Sequence, residues 1–546
     1  MMEYRMSALH YFIPTVIVTS LLNATEAQGA LIENLTVGNA KALALGHAVT
    51  ADPPGIDSIH FNPAGLAKLS GEQRQIKLIV GSFDIRVDFG EHDPIVDQYY
   101  SDAYAADAVP PGTFDDPVVN TTSQTSGAAF VLPGQGLVKL PAIVAPLGGA
   151  SYQAPGSKIT FATSVYSPTA AGYYRDKDDP GRFLGEEVSF SRITYFSPSV
   201  GIQVTDTLSL GASLGFSYQG IAVGMSLRVP NIGLVFAEAL GKEVCEQDVP
   251  AINFCGGRVG PYTEVSELEL EAEEMLSTTF NLGLLWEPTP WLTVGLSYQS
   301  GAEDTLKGSY KVSYDSNWSG MWQGFHNDAA GAAIAAGTAA IGFPLPIGEA
   351  VEEGSVAIEL PTPAYYSVGI SVQLTPAIKV NVDYKMSDWQ AWKDLEVTFD
   401  QDVDFLQLAR IVQPSAAEMR VLRMPMQFEN VWNWGVGIEY QYSDNLALRF
   451  GYEPRPSSIP EDKHTVLLPV GDGELYATGL SYQFDANETL DLSFAYFNAT
   501  RSTAAGESDT SNSLNQSYFI YNPYMGTDYD SDVTAVIFAL SYQSKF

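Results

Sequence analysis

The chain has 546 residues, 45% hydrophobic and 12% aromatic but only 17% charged, and carries a formal net charge of −36. So acidic a balance excludes nucleic acid as a partner, because phosphates need Lys and Arg to neutralise them. The length fits several soluble domains or one large β-structure, and no internal stretch reaches the roughly 18 to 20 consecutive apolar residues of a membrane helix, which excludes helical spans after the N-terminus.

Residues 1–27 read as a secretion signal: Arg5 gives a positive start, Leu9 to Leu22 is largely apolar, and Thr25-Glu26-Ala27 offers small residues for cleavage. A single membrane anchor is the alternative reading. From Gln28 to about Arg74 there is little alternation. Asn39 to His47 (NAKALALGH) predicts a short helix, and turn signals follow at Pro53-Pro54-Gly55 and at Asn62-Pro63. Such a segment buries too little surface to offset its own ordering entropy, so it must lie inside something else. Asn62-Pro63-Ala64 marks its centre, although Asn-Pro by itself is an ordinary turn signal.

From residue 75 to 546 the pattern changes to period two. In Thr207 to Tyr218 the residues Leu208, Leu210, Ala212, Leu214, Phe216 and Tyr218 alternate with Ser209, Gly211, Ser213, Gly215 and Ser217, giving one greasy face and one small, polar face. The same alternation recurs at 280–286, 292–298, 378–384, 446–452 and 490–496, and several runs end in Tyr or Trp, where a membrane interface would lie. Short turns alternate with long polar segments, about 91–136, 176–187, 224–263, 312–354, 401–428, 455–472 and 500–530. Counting between them gives about fourteen strands, the even number that an outer-membrane barrel requires, closed because lipid offers no partner to an edge N–H or C=O. The fold class expected is all-β, a 14-stranded antiparallel transmembrane barrel. The last strand alternates Val536, Phe538, Leu540 and Tyr542 and ends at Phe546, an aromatic that resembles the sorting signal of outer-membrane barrels.

Cys245 and Cys255 lie ten apart in a polar segment, and in an exported chain a disulfide stapling that loop is expected. No cofactor and no metal is expected. Acid gathers between strands, as at Asp93, Asp97, Asp102, Asp107, Asp115 and Asp116; it reads as a solvated surface, or as a bridge through divalent cations to lipid headgroups.

Taken together, the residues resemble the FadL/TodX family of outer-membrane channels for long-chain fatty acids and hydrophobic compounds. The likeness rests on Gly38-Asn39-Ala40 and Asp57-Ser58-Ile59 through Asn62-Pro63-Ala64-Gly65-Leu66, on Phe196-Ser197-Pro198-Ser199-Val200-Gly201, on Leu360-Pro361 and Trp389, and on Leu448-Arg449-Phe450-Gly451-Tyr452 with Ser458-Ile459-Pro460 and Leu468-Pro469. The resemblance implies a barrel plugged by an N-terminal hatch (28–74), a hydrophobic groove between the third and fourth long loops, an inner pocket, and sideways exit into the membrane beside a kinked third strand. It places the protein in the bacterial outer membrane, as a monomer with outer-membrane lipids and a hydrophobic small molecule as partners and no enzyme activity.

Groove candidates are Leu234, Val235, Phe236 and Leu240 in the third loop and Ile341, Phe343 and Leu345 in the fourth, apolar for loops in water; loop-to-loop packing explains them equally well. Ala329 to Ala340 predicts a short helix. The third strand, Ile159 to about Arg175, contains Pro168 and Gly172, and proline cannot donate a ladder hydrogen bond, so a break in pairing is expected there, with the hatch motif facing it. By parity Lys379, Lys385 and Arg449 face the lumen as candidate carboxylate contacts, with pairing to lumenal acids as the alternative. The substrate expected is a long-chain fatty acid, with aromatic hydrocarbons or alkanes second. The rivals from other classes are an outer-membrane lipid hydrolase, which needs a positioned His among His47, His60, His92, His326 and His464, and a general porin, which conflicts with a plug.

Overall fold

The computed structural model describes residues 34–96, 98, 115–229, 256–257, 259, 262–412, 418–514 and 521–546. After the hatch, whose described part is 34–70, come fourteen antiparallel wall strands. They are β1 (Gly71–His92), β2 (Ile143–Gln153, preceded by the short rung Thr122–Gln124), β3 (Ile159–Tyr174) and β4 (Glu187–Phe196 and Ser199–Gln203). Next are β5 (Leu208–Val229), β6 (Thr263–Thr289), β7 (Leu292–Gln299 and Ala302–Tyr314) and β8 (Val351–Thr362 and Tyr365–Thr375). The wall continues with β9 (Ile378–Ser387 and Asp394–Phe399), β10 (Val421–Pro425 and Val431–Ser443), β11 (Leu446–Arg455) and β12 (Asp472–Gln483). It ends with β13 (Glu488–Thr503) and β14 (Thr527–Lys545). β14 pairs back onto β1, from Gln73 opposite Lys545 up to His92 opposite Thr527, and closes the barrel.

The period-two pattern positions every strand. In β5 the even residues Leu210 and Leu214 point to lipid, while Ser209, Ser213 and Ser217 are buried on the lumenal side. The outward face elsewhere carries Phe280, Leu282, Leu296, Val368, Phe450, Phe494 and Phe538, all well exposed. A tilted strand crosses the hydrocarbon core in about 9–11 residues; β6 has 27, so the wall projects far beyond the bilayer on the long-loop side.

That projecting part carries the cap. The fourth long loop holds α-helices at Ser316–Asn327 and Ala329–Ala340, the second with the predicted bounds, each capped by the preceding aspartate, Asp315 or Asp328. Trp318, Met321, Trp322 and Phe325 plug the upper lumen together with the inward residues Ile221, Leu270, Leu306, Val312, Ile358 and Phe399. On the other side Arg228 is fully buried: its guanidinium forks onto Asp116 at 2.5 and 2.9 Å, donates to the Pro523 carbonyl and lies against Phe183, Tyr262 and Tyr524, tying four loops together. Burial opposes ionisation of Asp116, but His92 and Arg228 outweigh it and hold the carboxyl below its ordinary range.

Beside this knot, His464 is buried with its Nδ1 2.7 Å from Thr503 Oγ1, and its carbonyl accepts from Ser508 Oγ and Tyr529 Oη. Burial, reinforced by Arg501, lowers the imidazole to about 3. A histidine depressed in the folded state contributes stability that is full above its unfolded pKa of about 6.5 and is lost as pH falls toward the folded value. Amide exchange in 461–470 and 504–514, corrected for its intrinsic pH dependence, is therefore expected to accelerate from pH 6.5 to pH 4 in the wild type and to stay flat in His464→Gln. Equal acid sensitivity in both would remove His464 as the cause.

Candidate functional site

The hatch is locked to the wall by buried charge. A short helix, Ala40–Ala44, starts at Asn39, whose Oδ1 accepts from the Ala42 N–H. Asn39 Nδ2 donates to Asp57, and Asp57 meets Lys77 of β1 at 2.8 Å and accepts from Ser164 Oγ of β3. Both members of that ion pair have no exposed side-chain surface. Across the lumen Asp383 of β9 accepts from the Val49 and Thr50 N–H groups at 2.8 Å each. Glu453 of β11 gathers His47, Lys385, Asn433 and Arg455. Lower down, Lys41, Asp52, Lys379, Glu439, Arg449 and Asp491 form a continuous chain of ion pairs. Lys379, Lys385 and Arg449 do face the lumen, but each is already paired with a carboxylate of the protein.

The Asn62-Pro63-Ala64 motif sits elsewhere than expected. Asn62 caps the 3₁₀ turn Pro63–Lys68 through the Ala64 N–H, and its Nδ2 donates to the Thr50 and Leu284 carbonyls. A Cβ on Gly211 of β5 would come within 2.1 Å of Pro63, and one on Gly283 of β6 within 2.1 Å of Asn62 Oδ1, so the motif rests on a two-glycine seat. It faces β5 and β6 and not the break in β3.

That break is present at Pro168. β3 pairs with β2 only from Thr160 to Val165, and with residues 127–128 at Tyr173 and Tyr174, so 166–172 has no ladder partner on the β2 side. Toward β4 the register shifts between Tyr166 and Thr169. The freed carbonyls are taken by the hatch: the Asn34 N–H donates to Pro168 O at 3.0 Å, and Thr36 Oγ1 donates to Ser167 O at 3.1 Å. Asn34, Thr36, Asp57 and His60, whose ring lies 5.0 Å from that of Tyr166, are among the hatch residues that meet the wall around the gap. Gly172 lies at its upper end under the Ala129 carbonyl.

Level with the gap, Arg192 of β4 points inward opposite Thr169 of β3. Its Nη1 donates to Gln219 Oε1 at 2.9 Å and to Thr362 Oγ1 at 2.8 Å and approaches Asp304 at 3.5 Å. Its Nη2 is buried and has no hydrogen-bond partner among the described residues. Directly above lies the apolar upper lumen. Arg192 is not among the cations expected from the sequence, although it has the same inward parity that selects Lys379, Lys385 and Arg449.

In the fourth loop Ile341 and Phe343 are exposed, with Arg410 over the Phe343 ring at 4.8 Å, while Leu345 packs on the upper-lumen cluster. Leu234, Val235, Phe236, Leu240, Cys245, Cys255 and residues 1–27 lie outside the described residues. Each histidine has its own hydrogen-bond partner: His60 meets Asn34, His326 the Pro346 carbonyl, His92 Asp116, His47 Glu453 and His464 Thr503.

Against known proteins, residues 18–546 match the family model described as outer membrane protein transport protein (OMPP1/FadL/TodX). The chain belongs to this family. It is 20% identical over 385 residues to the long-chain fatty acid transport protein of Escherichia coli O6:H1, covering 70% of this chain and 73% of that one. It is 22% identical over 231 residues to the 47 kDa outer membrane protein of Pasteurella multocida, covering 41% of this chain and 44% of the relative, so that match spans less than half of the relative's length. The fold is shared with a Pseudomonas aeruginosa FadL homologue (TM-score 0.65, 18% identity, 95% of this chain and 100% of that one) and with the P. putida toluene transporter TodX (TM-score 0.57, 14% identity, 95% and 99%). Membership of the FadL/TodX family places the barrel in the bacterial outer membrane.

Removing one partner of a buried ion pair costs about 3–5 kcal/mol because the other charge is left uncompensated. Lys77→Met is therefore expected to speed amide exchange across the hatch by at least a hundredfold, and Lys77→Met with Asp57→Leu to recover most of the protection. No loss in the single variant would mean that the pair does not anchor the hatch.

Proposed function

We propose that the protein takes up long-chain fatty acids passively, capturing them at the extracellular loops near Ile341 and Phe343 and releasing them sideways through the gap at Pro168. Apolar burial contributes about 25 cal/mol per Å², so an exposed loop surface holds an acyl chain weakly and an enclosed lumen holds it more tightly. The ligand is drawn inward along that gradient without ATP. A carboxylate buried without a partner is costly, and the observation that carries this reading is Arg192, a buried guanidinium with an unused Nη2 at the level of the gap. A guanidinium holds a carboxylate through charge-assisted hydrogen bonds. The hatch groups Asn34 and Thr36, bonded to the Pro168 and Ser167 carbonyls, are those that must shift for the ligand to leave.

Asp304, 3.5 Å from Arg192, favours a second reading. It already supplies a counter-charge, and a neutral hydrocarbon would need none. The named relatives include both a fatty acid and a toluene transporter.

Uptake of oleate, toluene and hexadecane into cells lacking their own channel separates the two. A hydrogen bond to a charged group contributes about 2 kcal/mol, roughly thirtyfold. Arg192→Gln is expected to lower oleate uptake by about that factor and leave hexadecane uptake within twofold, with Arg192→Lys in between. Unchanged oleate uptake, or equal loss for all three probes, would contradict a carboxylate role.

A further inference from the structure

The gap does not arise from Pro168 alone. Arg86 of β1 stands opposite Gln124, and Gly81 stands opposite Ile143. Five steps along β1 thus answer nineteen steps along its neighbour, an excess of fourteen residues. Omitting Ala129–Ala142 would set residues 126–128 opposite 84–82 of β1 and leave the register against β1 unchanged; toward β3, where Val165 stands opposite Gly148 and Tyr173 opposite Ala128, the excess is twelve. The second strand is a continuous wall strand interrupted by a fourteen-residue insertion.

The insertion is an ordered hairpin. Its arms Gly127–Leu132 and Gly136–Leu140 pair from Ala128 opposite Leu140 to Leu132 opposite Gly136, around a turn in which Gly134 and Gly136 take positive φ. It leaves the wall at Gly172 and lies across the outer face of β3 to β6. The wall is cut to receive it. A Cβ on Gly172 would come within 1.9 Å of the Ala129 carbonyl oxygen, and one on Gly220 within 3.1 Å of Val131 Cβ. The Val131 N–H donates to Ser189 Oγ and its carbonyl accepts from Ser191 Oγ, with the side chain fully buried against Tyr218 and Ala222. At the far end the Leu137 N–H donates to Glu271, while Lys139 pairs with Glu187 and covers the Tyr174 ring.

We propose that Ala129–Ala142 is a fixed strap whose docking on the outer wall holds the gap between β1 and β3 open. The proposal rests on the sideways-release reading given above. Backbone groups facing lipid must find partners. Here the hairpin pairs its own backbone and takes the Ser189 and Ser191 hydroxyls, which leaves nothing to zip against 82–84 of β1 or 166–172 of β3. Pro168 contributes by having no N–H to satisfy, and the hatch takes the Ser167 and Pro168 carbonyls.

The test deletes Ala129–Ala142 from the full-length protein. Oleate uptake is expected to fall at least tenfold and the Phe83 amide, which points toward the second strand, to exchange at least tenfold more slowly, in a barrel that keeps its heat-modifiable migration. Wild-type uptake, or no added protection at Phe83, would overturn the proposal. Should the deletion fail to form a barrel, the decision passes to Val131→Cys with Gly220→Cys in a Cys245→Ser, Cys255→Ser background, where the Cβ spacing is near that of a disulfide. Oxidation is expected to leave oleate uptake within twofold; a tenfold loss restored by dithiothreitol would make the strap a moving gate and overturn its fixed role. If the wild type takes up no oleate, the transport reading fails, while Phe83 exchange still judges the strap.

Discussion

In lipid every backbone N–H and C=O must find a partner within the protein, and the architecture depends on how that demand is met. The seams that join β11 to β12, β12 to β13 and β13 to β14 meet it by unbroken ladders. The seam between β2 and β3 does not, and around it the molecule departs from a regular barrel: a proline in place of a donor, hatch groups bonded to wall carbonyls, and a strand segment folded out onto the outer face. Hatch and wall are therefore not independent parts. Asn34 and Thr36 bond the Pro168 and Ser167 carbonyls of β3, so any route through the gap involves the hatch.

Charge is arranged with similar economy. The chain is acidic by 36 charges, and the lumenal cations Lys77, Lys379, Lys385 and Arg449 are already paired: Lys77 on Asp57 and Lys379 on Asp52 tie the hatch to the wall, while Lys379 on Glu439, Lys385 on Glu453 and Arg449 on Glu439 and Asp491 join wall strands. Buried pairs of this kind serve position more than net stability, since desolvation offsets much of the attraction. Arg192 differs because one of its nitrogens is buried with no hydrogen-bond partner among the described residues. It stands below the apolar upper lumen and beside the gap, which is why the proposed route turns there.

Much of this was legible in the sequence, because strand alternation, turn chemistry and caps are local signals. The greasy face of Leu208 to Tyr218, the helix at Ala329–Ala340 and the pairing break at Pro168 each follow from a few neighbouring residues. The placement of Asn62-Pro63-Ala64 did not follow, since its seat is made by Gly211 and Gly283, far away in the chain and unremarkable within their own strands. Expecting it at the pairing break joins two features that the fold keeps apart. The loop expected at about 91–136 takes in the first arm and the turn of the strap but not its second arm, because arms of six and five residues carry little alternation and only the register of β1 against both flanks reveals an insertion.

The proposed route runs sideways from lumen to membrane. It is tested most directly by mapping where an oleate analogue with a terminal photoreactive diazirine cross-links in native outer membranes. Adducts are predicted on both edges of the gap, at residues 82–84 of β1 and 166–172 of β3. Adducts confined to the floor of the lumen around Lys41, Asp52 and Asp491, with none at the gap, would mean that ligands pass through the barrel toward the short-turn end and would contradict the account.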